Sequence, residues 1–283
     1  MLVYTNKGDT MAIPVEVMAS KKIIYIDRDE YHPDDNPLSI EGNPFYFKDI
    51  ESLDKYFNEL LGSLLASKFD LKTVKYKLAC IRLDDISLYG IISPSMFIPN
   101  KKYVMADSII GNKKIPTGLE NLDKIAAFFK NDKELERFIL ELLKMAVLDF
   151  YMNQIDRVKE NFYIIKNPHS LSLAPLYDYS ESFNSIYDEY GIDYTFNYPI
   201  NRHSSTYVYG NAIMKLEFPS DDLYRLFDQF PLFKEYFKRI LDIDMNELLN
   251  LIRKKYDLKA PKYLREHYMD YDHDKKEFVK NLI

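Results

Sequence analysis

The side chains best suited to chemistry fall between Asn153 and Asp178. Asp156 stands in a polar loop after a long apolar-striped segment, and Asn161 follows five residues later. Phe162 to Ile165 and Leu171 to Ala174 are short apolar runs flanking Asn167-Pro168-His169-Ser170, which reads as a hairpin. An Asn just before one strand and an Asp, Asp178, just after its partner lie near each other at the open end of such a hairpin. Two oxygen ligands with a further carboxylate beside them suit a hard cation of the Mg²⁺ kind. Such a cation takes few protein ligands and keeps positions for phosphate and water. Asp156 is then the group that accepts a hydroxyl proton or orients an attacking oxygen. A catalytic Asp, an Asn ligand and a second Asp ligand are the parts of a phosphoryl-transfer site.

These residues need elements to hold them. Ile50, Leu53, Phe57, Leu60, Leu61, Leu64 and Leu65 recur at helical spacing and predict an amphipathic helix over Ile50 to Phe69. Upstream, Ile13 to Met18 and Ile23 to Ile26 read as short strands, and Asp27 to Pro44 reads as loop. Downstream, Val74 to Leu83 and Leu88 to Ser93 read as paired strands with Asp84-Asp85 at the turn. Leu122 to Phe129 and Leu135 to Phe150 are helical, and from about Ser220 onward the chain is mostly helical. The class is α+β, with a strand-rich lobe over 1–118 carrying one long helix and a mainly helical lobe over 119–283.

Composition narrows the chemistry. The chain has 283 residues, of which only 8 are glycine, and the closest pair, Gly111 and Gly118, stands seven apart. Neither a G-x-G-x-x-G fingerprint nor a Walker A loop can be written from it. A formal charge of −6 weighs against a nucleic-acid binder. Cys80 is the only cysteine, which fits a reducing compartment. No run of 18 apolar residues predicts a membrane span, and the first residues lack a signal-peptide core. The expected location is cytoplasmic, with signal-free export as the other route.

The order Asp-x-x-x-x-Asn, apolar strand, turn, apolar strand and Leu173-Ala174-Pro175-Leu176-Tyr177-Asp178 resembles the catalytic core of the HipA-type Ser/Thr kinases. It is similar to the smaller secreted kinases of that type and, distantly, to phosphatidylinositol 3/4-kinases. The resemblance implies a two-lobed protein-kinase-like fold and an ATP- and Mg²⁺-dependent phosphotransferase. Asp156 falls on the catalytic aspartate, and Asn161 and Asp178 on the metal ligands. A weaker match upstream, through Glu59 to Phe97, puts Glu59 on the helix glutamate that pairs with the ATP-binding lysine. For that lysine, Lys22 is the best-placed candidate, with Lys21 and Arg28 beside it. The expected partners are a protein substrate with a Ser/Thr acceptor and an antitoxin or regulatory protein.

Two departures stand out. Val158 occupies a position where the family often has His, and no phosphate-binding loop aligns. The missing phosphate loop, with a nucleotide lysine that no motif fixes, leaves open a pseudokinase or interaction module of the same fold; a lipid or small-molecule kinase is the lesser alternative. His169 at the hairpin tip and the run Asp270 to Asp274 read as solvated charge, and Cys80 as a buried, inert thiol. His203 reads either as part of a substrate segment or as plain surface loop.

Overall fold

The computed structural model describes residues 2–4, 10–12, 15–27, 38–40, 43–50, 52–83, 86–105, 107–110, 125–154, 157, 161–183, 207–210 and 215–283. Asp156, Val158, Arg28 and His203 lie outside the described residues.

The N-terminal part is built on strands. β1 (Leu2–Tyr4) pairs antiparallel with β2 (Thr10–Ala12). A five-stranded sheet follows, formed by β3 (Ile24–Asp27), β4 (Leu38–Ile40), β5 (Asn43–Asp49), β6 (Lys77–Leu83) and β7 (Ile86–Pro94). Its order is β3-β6-β7-β5-β4, and only the β3–β6 pair is parallel.

Two expectations are corrected here. The run Ile13 to Met18 is not a strand over its described part: Val15–Met18 forms a short helix, α1. Pro14 stands directly before it, and proline suits the opening of a helix. Val17 is fully buried, and Ser20 N donates to its carbonyl at 3.1 Å to close the turn. The stretch Asp27 to Pro44 is not all loop, because β4 and the start of β5 fall in it. Pro44 is the second residue of β5, near the strand end, where a missing N–H removes no central ladder bond.

The helix α2 (Leu53–Lys68) connects β5 to β6. Alternation along β6 sends its side chains to two cores. Leu78 joins the large core of α2 and the C-terminal helices, while Ala79 and Ile81 join Ile26, Leu88 and Ile92 in a smaller one. Side chains on the two faces of the sheet thus enter different clusters.

β8 (Lys102–Met105) and the short helix α3 (Asp107–Ile110) lead into the helical part. The long helix α4 (Asp132–Met152) is capped by Asn131, whose side chain accepts from Lys133 N. It ends at Asn153 in the left-handed conformation, φ 50°. The anticipated hairpin is present as β9 (Tyr163–Asn167) and β10 (Ser170–Leu173), with Asn167 opposite Ser170. β8 adds to β9 on the other side and completes a three-stranded sheet in the order β10-β9-β8.

After β11 (Tyr207–Gly210) and β12 (Lys215–Phe218) come α5 (Asp221–Gln229), α6 (Pro231–Leu241), α7 (Met245–Tyr256) and α8 (Lys262–Leu282). α2 packs against α4 and α7, so the helix of the strand-rich part is seated on the helical part. No helix among the described residues is long and apolar enough to cross a membrane.

Candidate active site

The site begins with β5. In this strand Lys48 is the residue before the last, and α2 starts five residues after it at Leu53. That short connection brings Glu59, in the second turn of α2, back over the strand. Lys48 Nζ lies 2.6 Å from Glu59 Oε1 and 2.5 Å from Asp178 Oδ1, and it donates to Ser180 Oγ at 3.0 Å. Glu59 has no exposed surface. A buried carboxylate needs donors, and Glu59 has two sets: Lys48 on one oxygen and the backbone N–H of Tyr179 on the other, at 3.0 Å. Burial works against the Lys48 ammonium, but the Glu59 and Asp178 carboxylates outweigh it and hold the group above its ordinary value.

A glycine makes this approach of strands feasible. A Cβ on Gly90 of β7 would stand 2.1 Å from the Lys48 carbonyl. On α2, a Cβ on Gly62 would stand 2.2 Å from Tyr179 Cγ. Both positions are therefore closed to any side chain, and the second fixes how near the Asp178 segment comes to the helix.

Asp178 is reached from β10 through Ala174-Pro175-Leu176-Tyr177. Leu176 N donates to Lys72 O at 2.8 Å and Val74 N to Leu176 O at 3.0 Å, so this segment is laced to the residues just before β6. Asp178 has φ 58°. Its N–H reaches Tyr76 OH at 3.2 Å, and its carbonyl accepts from Gln154 Nε2 at 2.6 Å. Left-handed backbone at a non-glycine residue persists when its surroundings over-determine it, and here both its peptide groups are held. Asn58, one residue before Glu59, donates to the carbonyls of Ser180 and Ser182 at 2.8 Å each and clamps the chain that follows.

Asn161 joins the site through Arg157. This guanidinium is wholly buried against Asp149 of α4, with Nη2 3.1 Å from Asp149 Oδ1. Its Nη1 donates to the carbonyls of Asn161 at 3.0 Å and Tyr177 at 2.7 Å. The residues just before β9 and just before Asp178 are thus held by one nitrogen.

The constellation borders a cavity of about 280 Å³. Lys48 and Asp178 form its polar wall, and Tyr46, Tyr76, Ile91, Met96, Phe97, Tyr163 and Tyr177 its largely apolar remainder. Tyr163 and Tyr177 stack at 6.3 Å between ring centres, and Phe97 meets Tyr163 and Tyr103 edge-on at 5.4 and 4.8 Å. Tyr103 OH donates to Met96 O at 2.8 Å and accepts from Ile98 N at 3.0 Å, fixing the segment between β7 and β8. An apolar cleft with a few convergent charges is the usual form of a small-ligand site.

Magnesium would find one carboxylate in Asp178, with its side chain 27% exposed, and one amide in Asn161 on the adjoining segment. Among the described residues there is no group of three or more His, Cys, Asp and Glu that could hold a metal ion. A hard cation that takes most of its oxygens from phosphate and water fits this donor set.

The expected residues divide as follows. Glu59 and Asp178 meet at Lys48, and Asn161 is tied to the residue before Asp178. Asp156 lies outside the described residues, between Gln154 and Arg157, both of which contact this segment. Lys22 is exposed in a turn beside the end of α7, where its N–H meets Ser20 Oγ and Lys21 N–H meets Asp257. The lysine on Glu59 is Lys48. Its signal was the run Phe45-Tyr46-Phe47-Lys48-Asp49, an aromatic strand pattern directly ahead of the predicted helix.

A strand-borne lysine on a helix glutamate, next to an aspartate at the exit of a hairpin, is the arrangement of a kinase-like α+β fold. No family model and no curated protein sequence matches the chain. Among solved structures it is similar to the Helicobacter pylori proinflammatory kinase CtkA, with a TM-score of 0.59 and 15% identity, covering 92% of this chain and 99% of that one. It also matches Shewanella oneidensis HipA, solved with HipB and operator DNA, with a TM-score of 0.49 and 11% identity. That match covers 84% of this chain and 58% of HipA, so the chain spans less than two thirds of HipA's length.

Proposed function

We propose that the protein is an ATP- and Mg²⁺-dependent phosphotransferase acting on a Ser/Thr hydroxyl of a protein substrate. The observation that carries this reading is Lys48 held between Glu59 and Asp178 on the wall of an aromatic-lined cavity. Lys48 binds and orients the phosphates. Glu59 fixes the ammonium and, through Tyr179 N, the backbone beside Asp178. Asp178 and Asn161 are the residues that would hold Mg²⁺, which when bound neutralises charge on the phosphates. Asp156 takes the proton of the acceptor hydroxyl. Catalysis of this kind is mainly positioning and electrostatic stabilisation.

The alternative is an inactive module of the same fold, motivated by an unlocated lysine and phosphate loop; in the present reading Lys48 supplies the lysine. Incubation with Mg²⁺ and γ-labelled ATP tests the reading. Label should appear on the protein or on an added protein substrate, and Asp178→Ala should remove it. Undiminished transfer by that variant, or no nucleotide binding by the wild type at millimolar ATP, would refute it.

A further inference from the structure

Arg157 makes no contact with the cavity, yet it touches the segments of both candidate metal ligands. Its Nη1 reaches the carbonyls of Asn161 and Tyr177, the second being the residue before Asp178. Nε and Nη2 are engaged by the Asp149 carboxylate at 3.1 to 3.3 Å, and the guanidinium lies 5.2 Å from the centre of the Tyr179 ring. Asp149 itself sits in the last turn of α4, with 1% of its surface exposed. A rigid helix, a planar fork and two loop carbonyls therefore form one connected unit.

We propose that Arg157 is a positioning residue that sets the spacing between Asn161 and Asp178 and thereby their affinity for the divalent cation. The inference rests on the reading of these two residues as metal ligands. The physical reason is the shape of guanidinium. Its donors diverge in one plane, so it can serve a carboxylate on one side and two carbonyls on the other. A lysine in the same place keeps the charge but concentrates its donors on one nitrogen. It cannot span Asp149 and both carbonyls together. With the link cut, the two segments lose their common reference, and residues that orient metal ligands from behind are worth on the order of 10–100-fold in metal affinity.

The test uses Mn²⁺ as the probe, with free Mn²⁺ read by electron paramagnetic resonance in the presence of a non-hydrolysable ATP analogue. The wild type should bind Mn²⁺ in a manner that Asp178→Ala abolishes. Arg157→Lys should raise the Mn²⁺ dissociation constant at least about tenfold, at a temperature where circular dichroism shows the variant folded, while metal-free binding of the analogue is unchanged. Asp149→Asn, which keeps the shape of the anchor but removes its charge, should weaken Mn²⁺ in the same direction and serves if the lysine variant does not fold. Wild-type Mn²⁺ affinity in a folded Arg157→Lys or Asp149→Asn protein, with only the melting temperature lowered, overturns the positioning role alone. Mn²⁺ binding that survives Asp178→Ala overturns the assignment of the ligands and the proposal with it.

Discussion

Lys48 Nζ and Asp178 Oδ1 meet at 2.5 Å although 130 residues separate them in the chain. The contact joins a strand of the five-stranded sheet to the exit of the β9–β10 hairpin. It places the cation where phosphate oxygens would be received and presents the carboxylate beside it. Replacing Lys48 by Met should therefore lower kcat/KM for phosphoryl transfer by on the order of 10²–10³-fold, as loss of one preorganised electrostatic partner does. Lys22→Met should leave the kinetics unchanged. Steady-state assays of both variants check the pair, and a larger loss with Lys22→Met would move the nucleotide lysine to that residue.

Glu59 faces donors, the Lys48 ammonium and the Tyr179 N–H among them. In Glu59→Gln the amide keeps the shape but must turn its NH₂ toward one of them, leaving a buried donor unmatched at a cost of about 1–3 kcal/mol. Thermal unfolding should show a lower Tm, and activity should fall with it. A variant as stable as the wild type would mean that this glutamate is hydrated or mobile.

Gly62 offers a second stability test. Adding a methyl group there drives it into Tyr179 at 2.2 Å, and Tyr179 is fully buried. Overpacking of this kind typically costs about 1–3 kcal/mol. Gly62→Ala should lower the denaturant midpoint and, by moving the backbone next to Asp178, the activity.

Lys275 predicts a pH effect away from the site. Its ammonium donates to Phe150 O at 2.8 Å between the Phe150 and Tyr271 rings, and burial pulls its pKa down to about 7. Below about pH 7 the proton is held in both folded and unfolded chains. Between about 7 and the ordinary value of 10.5 only the unfolded chain holds it. Folding then releases a proton, and this residue makes stability rise with pH across that window. Lys275→Met should abolish that part of the rise and be more stable than the wild type near pH 6. Melting curves of both proteins from pH 6 to 9 measure the difference, and parallel curves would contradict it.

Much of this arrangement is legible in the sequence. Helical periodicity located α2 and α4 because each buries a continuous stripe, and the two apolar runs around Asn167 to Ser170 located β9 and β10. The strand of Lys48 leaves a local trace in Phe45 to Asp49, beyond the Asp27 to Pro44 stretch that reads as loop, but nothing local pairs that lysine with Glu59. Its pairing depends on β7 reaching β5 across the sheet, which no local pattern announces. Arg157 was equally hidden: a basic residue beside an acidic loop reads as solvated, and only the fold reveals that it is buried against Asp149. Local propensity marks elements, whereas contacts between distant segments decide which polar residues go inside.

The pairing of β8 with β9 bears on how the chain can be divided. Residues 102–105 precede position 118, yet their hydrogen-bonding partners lie at 163–166. A polypeptide severed at 118 would leave one fragment with the outer strand of the three-stranded sheet and the other with the hairpin that needs it. Each piece would expose an unpaired strand edge complementary to the other's, so the two halves would carry the instructions for their own reassociation.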